Sequence, residues 1–146
     1  MLDACHSKQH MLLEKYSNGS IKRARDYTDT SVYYEREYYE SGDLKEVKMF
    51  KDGLQDSIQT VFDEGGNRRV QIYFKKGLRN GITREIYNNG QILFEGNCIN
   101  GKFEGLATWY YPNGKIKEQI HRHLDIDTGS WVRYDSAGNL IKAGSH

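Results

Sequence analysis

The amino-acid sequence predicts an all-β protein: an elongated, single-layer antiparallel sheet of tandem hairpins, each about 24 residues long. Three observations carry this. Hydrophobic residues make up 37% of the 146, too few for a thick two-sided core, yet 11 Tyr, 5 Phe and 2 Trp exclude a disordered composition. Fifteen glycines stand against a single proline, and the glycines recur at a fixed interval. Between them, apolar and polar residues alternate with the period of a half-buried strand. The length suits one domain.

The turns come first. Gly19, Gly42, Gly66, Gly90, Gly114 and Gly138 are separated by 23, 24, 24, 24 and 24 residues. Each ends a turn-like tetrapeptide such as Tyr16-Ser17-Asn18-Gly19, Tyr87-Asn88-Asn89-Gly90 or Tyr111-Pro112-Asn113-Gly114. Asn-Gly is a strong hairpin signal because both residues tolerate positive φ at the centre of a tight turn. Eleven residues further on stand Gly53, Gly77, Gly101 and Asp125, and four beyond those Ser57, Gly81, Gly105 and Gly129.

The strands follow from the turns. A first strand leaves each Asn-Gly turn (91–99, for example), a GxxxG-like turn reverses it (101–105), and a return strand leads to the next unit (106–111). Alternation puts Ile92, Phe94 and Cys98 on one face, and likewise Val70, Ile72 and Phe74. On the return strands Ile58 and Phe62, Ile82 and Ile86, Leu106 and Tyr110, and Val132 and Tyr134 are expected on that same face, so that one apolar stripe runs along about a dozen strands. Residues 1–15 form an N-terminal cap or extension, with Met11 to Tyr16 expected as a return strand. Residues 16–143 form a single repeat domain of about five units and a partial sixth.

The unit running from Tyr110-Tyr111-Pro112-Asn113-Gly114, together with Gly101-Lys102-Phe103-Glu104-Gly105 and the aromatic residues after it, resembles a MORN repeat of the bacterial variant type. The segment from Gly90 to Tyr111, including Glu95-Gly96, matches best, and the resemblance covers about residues 16–143. Asp125 and Ser57 depart from it where glycine is expected, and Arg68 where an apolar residue is. The resemblance implies a single-layer sheet that binds other proteins or, in some members, lipid headgroups. Bacterial relatives are commonly described as antitoxin- or immunity-like.

Residues with catalytic or metal-binding chemistry do not assemble in the sequence. His121 and His123 alternate on one strand with no third ligand at a useful spacing. Asp125-Ile126-Asp127 opens like a calcium loop but falls in a turn slot and lacks the later acidic ligand. No glycine-rich segment opens a helix, so no phosphate cradle is expected. No Ser or Cys comes with a paired His and carboxylate. A non-catalytic protein without a cofactor is the expectation. Cys5 and Cys98 are expected as free thiols of a reducing compartment, with a disulfide the alternative. The chain is expected in the cytoplasm, since Leu2-Asp3-Ala4-Cys5 resembles the end of a lipoprotein signal without the hydrophobic stretch before it; export or a lipid anchor would require a signal trimmed from the front.

Net charge is +1, but its distribution is uneven. The five first strands carry 12 Lys and Arg against 5 Asp and Glu, and the five return segments 3 against 7. Cross-strand ion pairing is one outcome. The other is a basic patch of Lys22, Arg23, Arg25, Lys45, Lys48, Arg68, Arg69 and Lys75 that would attach to an anionic membrane or nucleic acid. A second candidate surface is aromatic: Tyr87, Trp109, Tyr111 and Trp131 are expected to point away from the apolar stripe beside Lys115, Lys117, His121 and His123. Such rings either form the energetic centre of an interface or stack along the ribbon. The leading expectation is a small bacterial or phage-type module that neutralises, inhibits or scaffolds a protein partner (a toxin, enzyme or effector). Open sheet edges could also pair copies into a homodimer.

Overall fold

A computed structural model describes residues 9–146. They form one open 13-stranded antiparallel sheet whose order follows the chain. The strands are β1 (Gln9–Lys15), β2 (Ile21–Tyr27), β3 (Val32–Tyr38), β4 (Leu44–Lys51), β5 (Leu54–Phe62), β6 (Arg68–Lys75), β7 (Leu78–Ile86), β8 (Ile92–Ile99), β9 (Lys102–Phe103), β10 (Gly105–Tyr110), β11 (Ile116–His123), β12 (Ile126–Tyr134) and β13 (Leu140–Ser145). Both β9 and β10 pair with β8, so they are two pieces of one return strand interrupted at Glu104. β1 pairs with β2 as the expected return strand. The core is thin: among the described residues only Ala24, Phe94, Cys98 and Ala107 are buried apolar side chains. Cys98 is a free thiol with no exposed surface; Cys5 lies outside the described residues.

Two kinds of turn alternate, and their chemistry differs from expectation. At the Asn-Gly turns only glycine has positive φ (82° at Gly90, 81° at Gly114). The Gly90 N–H donates to the Tyr87 carbonyl at 3.0 Å, closing a three-residue loop with a bulge rather than a two-residue turn. The asparagine works through its side chain instead: Asn89 Oδ1 and Asn113 Oδ1 each accept the backbone N–H two residues on, at 3.1 Å. At the opposite ends Asp52-Gly53, Lys76-Gly77, Asn100-Gly101 and Leu124-Asp125 have positive φ at both residues. These are the two-residue primed turns, joining Lys51 to Leu54, Lys75 to Leu78, Ile99 to Lys102 and His123 to Ile126. They replace the expected GxxxG turn.

The return strands therefore begin earlier, and Ser57, Gly81, Gly105 and Gly129 lie inside them at breaks in register, with φ of 65°, 118°, 84° and 67°. Ser57 and Asp125 hold the left-handed backbone that glycine holds in other units, so both departures keep the local geometry. Each break adds two residues to the return strand (Met49 pairs with Asp56 but Val47 with Thr60), which keeps its alternation. The face is set instead by the two-residue turns, which put Ile99 opposite Lys102. A turn over 101–105 would have put Asn100 opposite Leu106, and this odd shift moves every side chain to the other face. Val61, not Phe62, sits opposite Val70, and Trp109 sits opposite Phe94. The return-strand set Ile58, Phe62, Ile82, Ile86, Leu106, Tyr110, Val132 and Tyr134 thus alternates away from the Phe94 face, correcting the expected single stripe. One row on the Phe94 face runs unbroken from strand to strand: Glu14, Arg23, Glu37, Glu46, Val61, Val70, Glu85, Phe94, Trp109, Glu118, Arg133, Lys142.

Hydroxyl struts tie each unit to the next. Tyr16, Tyr39, Tyr87 and Tyr111 donate their hydroxyls to the carbonyls of Tyr38, Phe62, Tyr110 and Tyr134 at 2.8–2.9 Å. Where Asp63 takes the tyrosine position, its carboxylate holds Arg69 at 2.9 Å, and the Arg69 guanidinium reaches the corresponding Ile86 carbonyl at 3.3 Å. Asp63 also accepts backbone N–H groups from its own turn, that of Asn67 above all, which hold its carboxyl below the ordinary range.

Candidate binding face

On the Phe94 face, β8 to β12 gather rings and guanidinium groups. Phe94 packs edge-on to Phe103 with centroids 5.6 Å apart and lies 4.9 Å from Trp109. Gly96 makes this possible, because an added Cβ would stand 2.9 Å from Phe94 Cζ and 3.0 Å from Phe103 Cε1. Buried Cys98, Thr83 and Ala107 form the floor. Phe103 lies between two cations: Arg79 Cζ is 5.6 Å from its centroid and Arg122 Cζ 5.5 Å. Arg122 also stands 5.4 Å from Trp109. Its Nε is fixed by Asp127 at 2.8 Å, and Arg79 donates to the Gly101 carbonyl at 3.1 Å.

The cluster continues to Trp131, opposite Ile120, whose ring covers Gly144. Arg133 at 5.4 Å and Lys142 at 5.7 Å flank it. A smaller counterpart lies towards β1, where Tyr33 stacks on Phe50 at 4.9 Å and Arg25, paired with Glu35 at 2.9 Å, covers Tyr33. Rings held between pinned guanidiniums are preorganised, with little rotamer freedom left to lose on binding. Phe103, Trp109 and Trp131 are nonetheless only half-buried, so part of each ring is open to a partner.

The eight residues expected on one aromatic face are not brought together. Trp109 and Trp131 share the Phe94 face, a correction that follows from the two-residue turns that set the phase of the return strands. Tyr87 and Tyr111 are struts with their hydroxyls already donated. Lys117 lies over the Tyr111 ring at 5.9 Å, and Lys115 Nζ donates to the Ala137 carbonyl at 2.5 Å. His121 pairs with Leu106 and projects to the opposite face. His123 bonds Glu104 at 2.9 Å, which draws that carboxyl below its usual range.

The basic residues of the other half are mostly paired. Lys22 meets Glu14 at 2.6 Å, Arg23 approaches it at 4.0 Å, Lys48 meets Glu46, and Arg25 and Arg69 have the carboxylates given above. Lys45 lies over Tyr39 at 5.6 Å, while Arg68 and Lys75 are exposed. Lys22, Arg23 and Arg25 thus meet carboxylates across neighbouring strands, while Lys48 meets one along its own strand β4.

Sequence reasoning missed Arg79, Phe103, Arg122, Arg133 and Lys142. The signal was present in the 24-residue columns: Glu37, Val61, Glu85, Trp109 and Arg133 occupy equivalent positions, as do Phe50, Phe74, Cys98 and Arg122. Reading them needed the correct phase of the return strands.

An open antiparallel ribbon of hairpin units, stiffened by unit-to-unit struts, defines the class as a β-repeat protein. Residues 33–52, 79–100 and 103–123 match the MORN repeat variant family, and the chain belongs to that family. Such repeats are generally non-catalytic binding repeats. The chain is also similar to sodium-dependent phosphate transporter 2 of Xenopus laevis, at 24% identity over 123 residues, which are 84% of this chain and 19% of that protein. It spans about a fifth of the length of this curated relative.

Proposed function

We propose that the chain is a non-catalytic module that neutralises, inhibits or scaffolds a protein partner, and that it docks through the Phe94 face. The observation that carries this is the Arg79–Phe103–Arg122–Trp109 cluster: half-exposed rings with fixed cations on a rigid sheet. Buried aromatic and arginine side chains are the usual energetic centres of protein interfaces. Arg122 and Arg133 are locally neutralised by Asp127 and Glu118, which favours a partner that covers rings over one that collects free positive charge.

The test is affinity capture from the native host with wild type and Phe103→Ala, each first shown to keep its β signal by circular dichroism. One protein retained by wild type and lost by the variant supports the reading. A partner that survives Phe103→Ala refutes the site. Retention on anionic vesicles or nucleic acid that falls on Lys45→Ala, Arg68→Ala and Lys75→Ala, with no captured protein, would replace the reading with anionic attachment.

A further inference from the structure

We infer that copies of this chain add head to tail, the outer edge of β13 on one copy receiving β1 of the next. Among the described residues no strand pairs with the outer side of either. Every residue of β13 is exposed, Leu140 and Ile141 by 62% and 64%, and Lys142 is the single charge on the strand. Natural sheets usually blunt such an edge with several charges, a proline or a bulge.

The occupant follows from the phase of the repeat. β13 leaves an Asn-Gly-type turn and is a first strand, so the neighbour its edge fits is an antiparallel return strand. β1 leads into the turn at Tyr16 and is a return strand. A second copy placed by the sheet's own repeat therefore continues the hairpin order without a break. The register is also set. Glu14 and Lys142 are the two ends of the single row on the Phe94 face, so the next copy puts Glu14 opposite Lys142. Within the chain the equivalent step puts Glu37 opposite Arg23. A carboxylate and an ammonium thus meet where the sheet already pairs a carboxylate with a guanidinium. Such a contact is heterologous and generates an open series rather than a closed dimer.

The backbone supplies a clean probe. The His146 N–H donates to the Gly129 carbonyl of β12, so by alternation the N–H groups of Gly144 and Lys142 face inward and that of Ala143 faces outward. Ala143→Pro removes an outward donor and leaves the β12 ladder intact.

Sedimentation velocity over micromolar to millimolar concentrations is the experiment. Wild type is expected to rise in mean mass without a plateau at dimer. Ala143→Pro and Lys142→Glu should each weaken association at least about tenfold. Lys142→Glu mixed with Glu14→Lys should restore it, each variant having been checked for its β signal. A wild type that stays monomeric overturns the inference. So does association indifferent to Ala143→Pro, or a loss on Lys142→Glu that Glu14→Lys does not repair, which would mean a symmetric edge pairing.

Discussion

Leu124 shows what a single residue contributes to this sheet. Its φ of 52° lies in the left-handed region, at the first position of a primed turn where asparagine or glycine is favoured. Its side chain is 48% exposed and has little packing to lose. Leu124→Asn should therefore stabilise the protein by about 0.5–1 kcal/mol, read as an upward shift in thermal midpoint. Gly96 is the opposite case. With Phe94 and Phe103 within 3.0 Å of an added Cβ, Gly96→Ala should cost about 1–3 kcal/mol in urea unfolding and disturb the ring pair. Leu124 did not stand out in the sequence, and Gly96 did so only as part of the Glu95-Gly96 match to the repeat. Leu124 occupies a slot that reads as an ordinary strand end, and a lone Gly96 inside a strand shows its purpose only when the rings above it are seen.

At the scale of the hairpin, the strut carries the energetics. Tyr87→Phe keeps the ring and removes the donor to the Tyr110 carbonyl, and should cost about 1 kcal/mol by chemical denaturation. The Asp63–Arg69 form of the strut adds a pH dependence. Asp63 and Asp135 are held below the ordinary aspartate value of 3.8, by the Asn67 backbone N–H and by Asn139 respectively. Because the folded values are lowered, the stability they supply is present above 3.8 and is lost as pH falls through the folded values. Asp63→Asn should lower stability at neutral pH and flatten the acid transition, followed by circular dichroism. The hairpin period and the approximate number of strands were legible in the glycine spacing. The face of each return strand was not. Alternation can be counted only from a correct origin, and the two-residue turns that stand where a GxxxG turn was expected moved that origin by an odd number of residues. Trp109 and Trp131 were misplaced for this reason alone, while the ion pairing of Lys22, Arg25 and Arg69 followed from the charge alternation between first and return segments.

Over the whole molecule, the sheet is a rigid ribbon with chemically different faces. Its contacts join neighbouring strands, so its stability is a sum over units, and unfolding should spread from the ends. Its function is proposed to lie on one face, and β11 offers a direct way to separate the two. His121 and Arg122 are adjacent in the chain and project to opposite sides of the same strand. The deciding measurement is the affinity of the captured partner for wild type, Arg122→Ala and His121→Ala. Docking on the Phe94 face predicts a loss of at least about tenfold for Arg122→Ala and no change for His121→Ala. Loss confined to His121→Ala would contradict it and assign the interface to the other side.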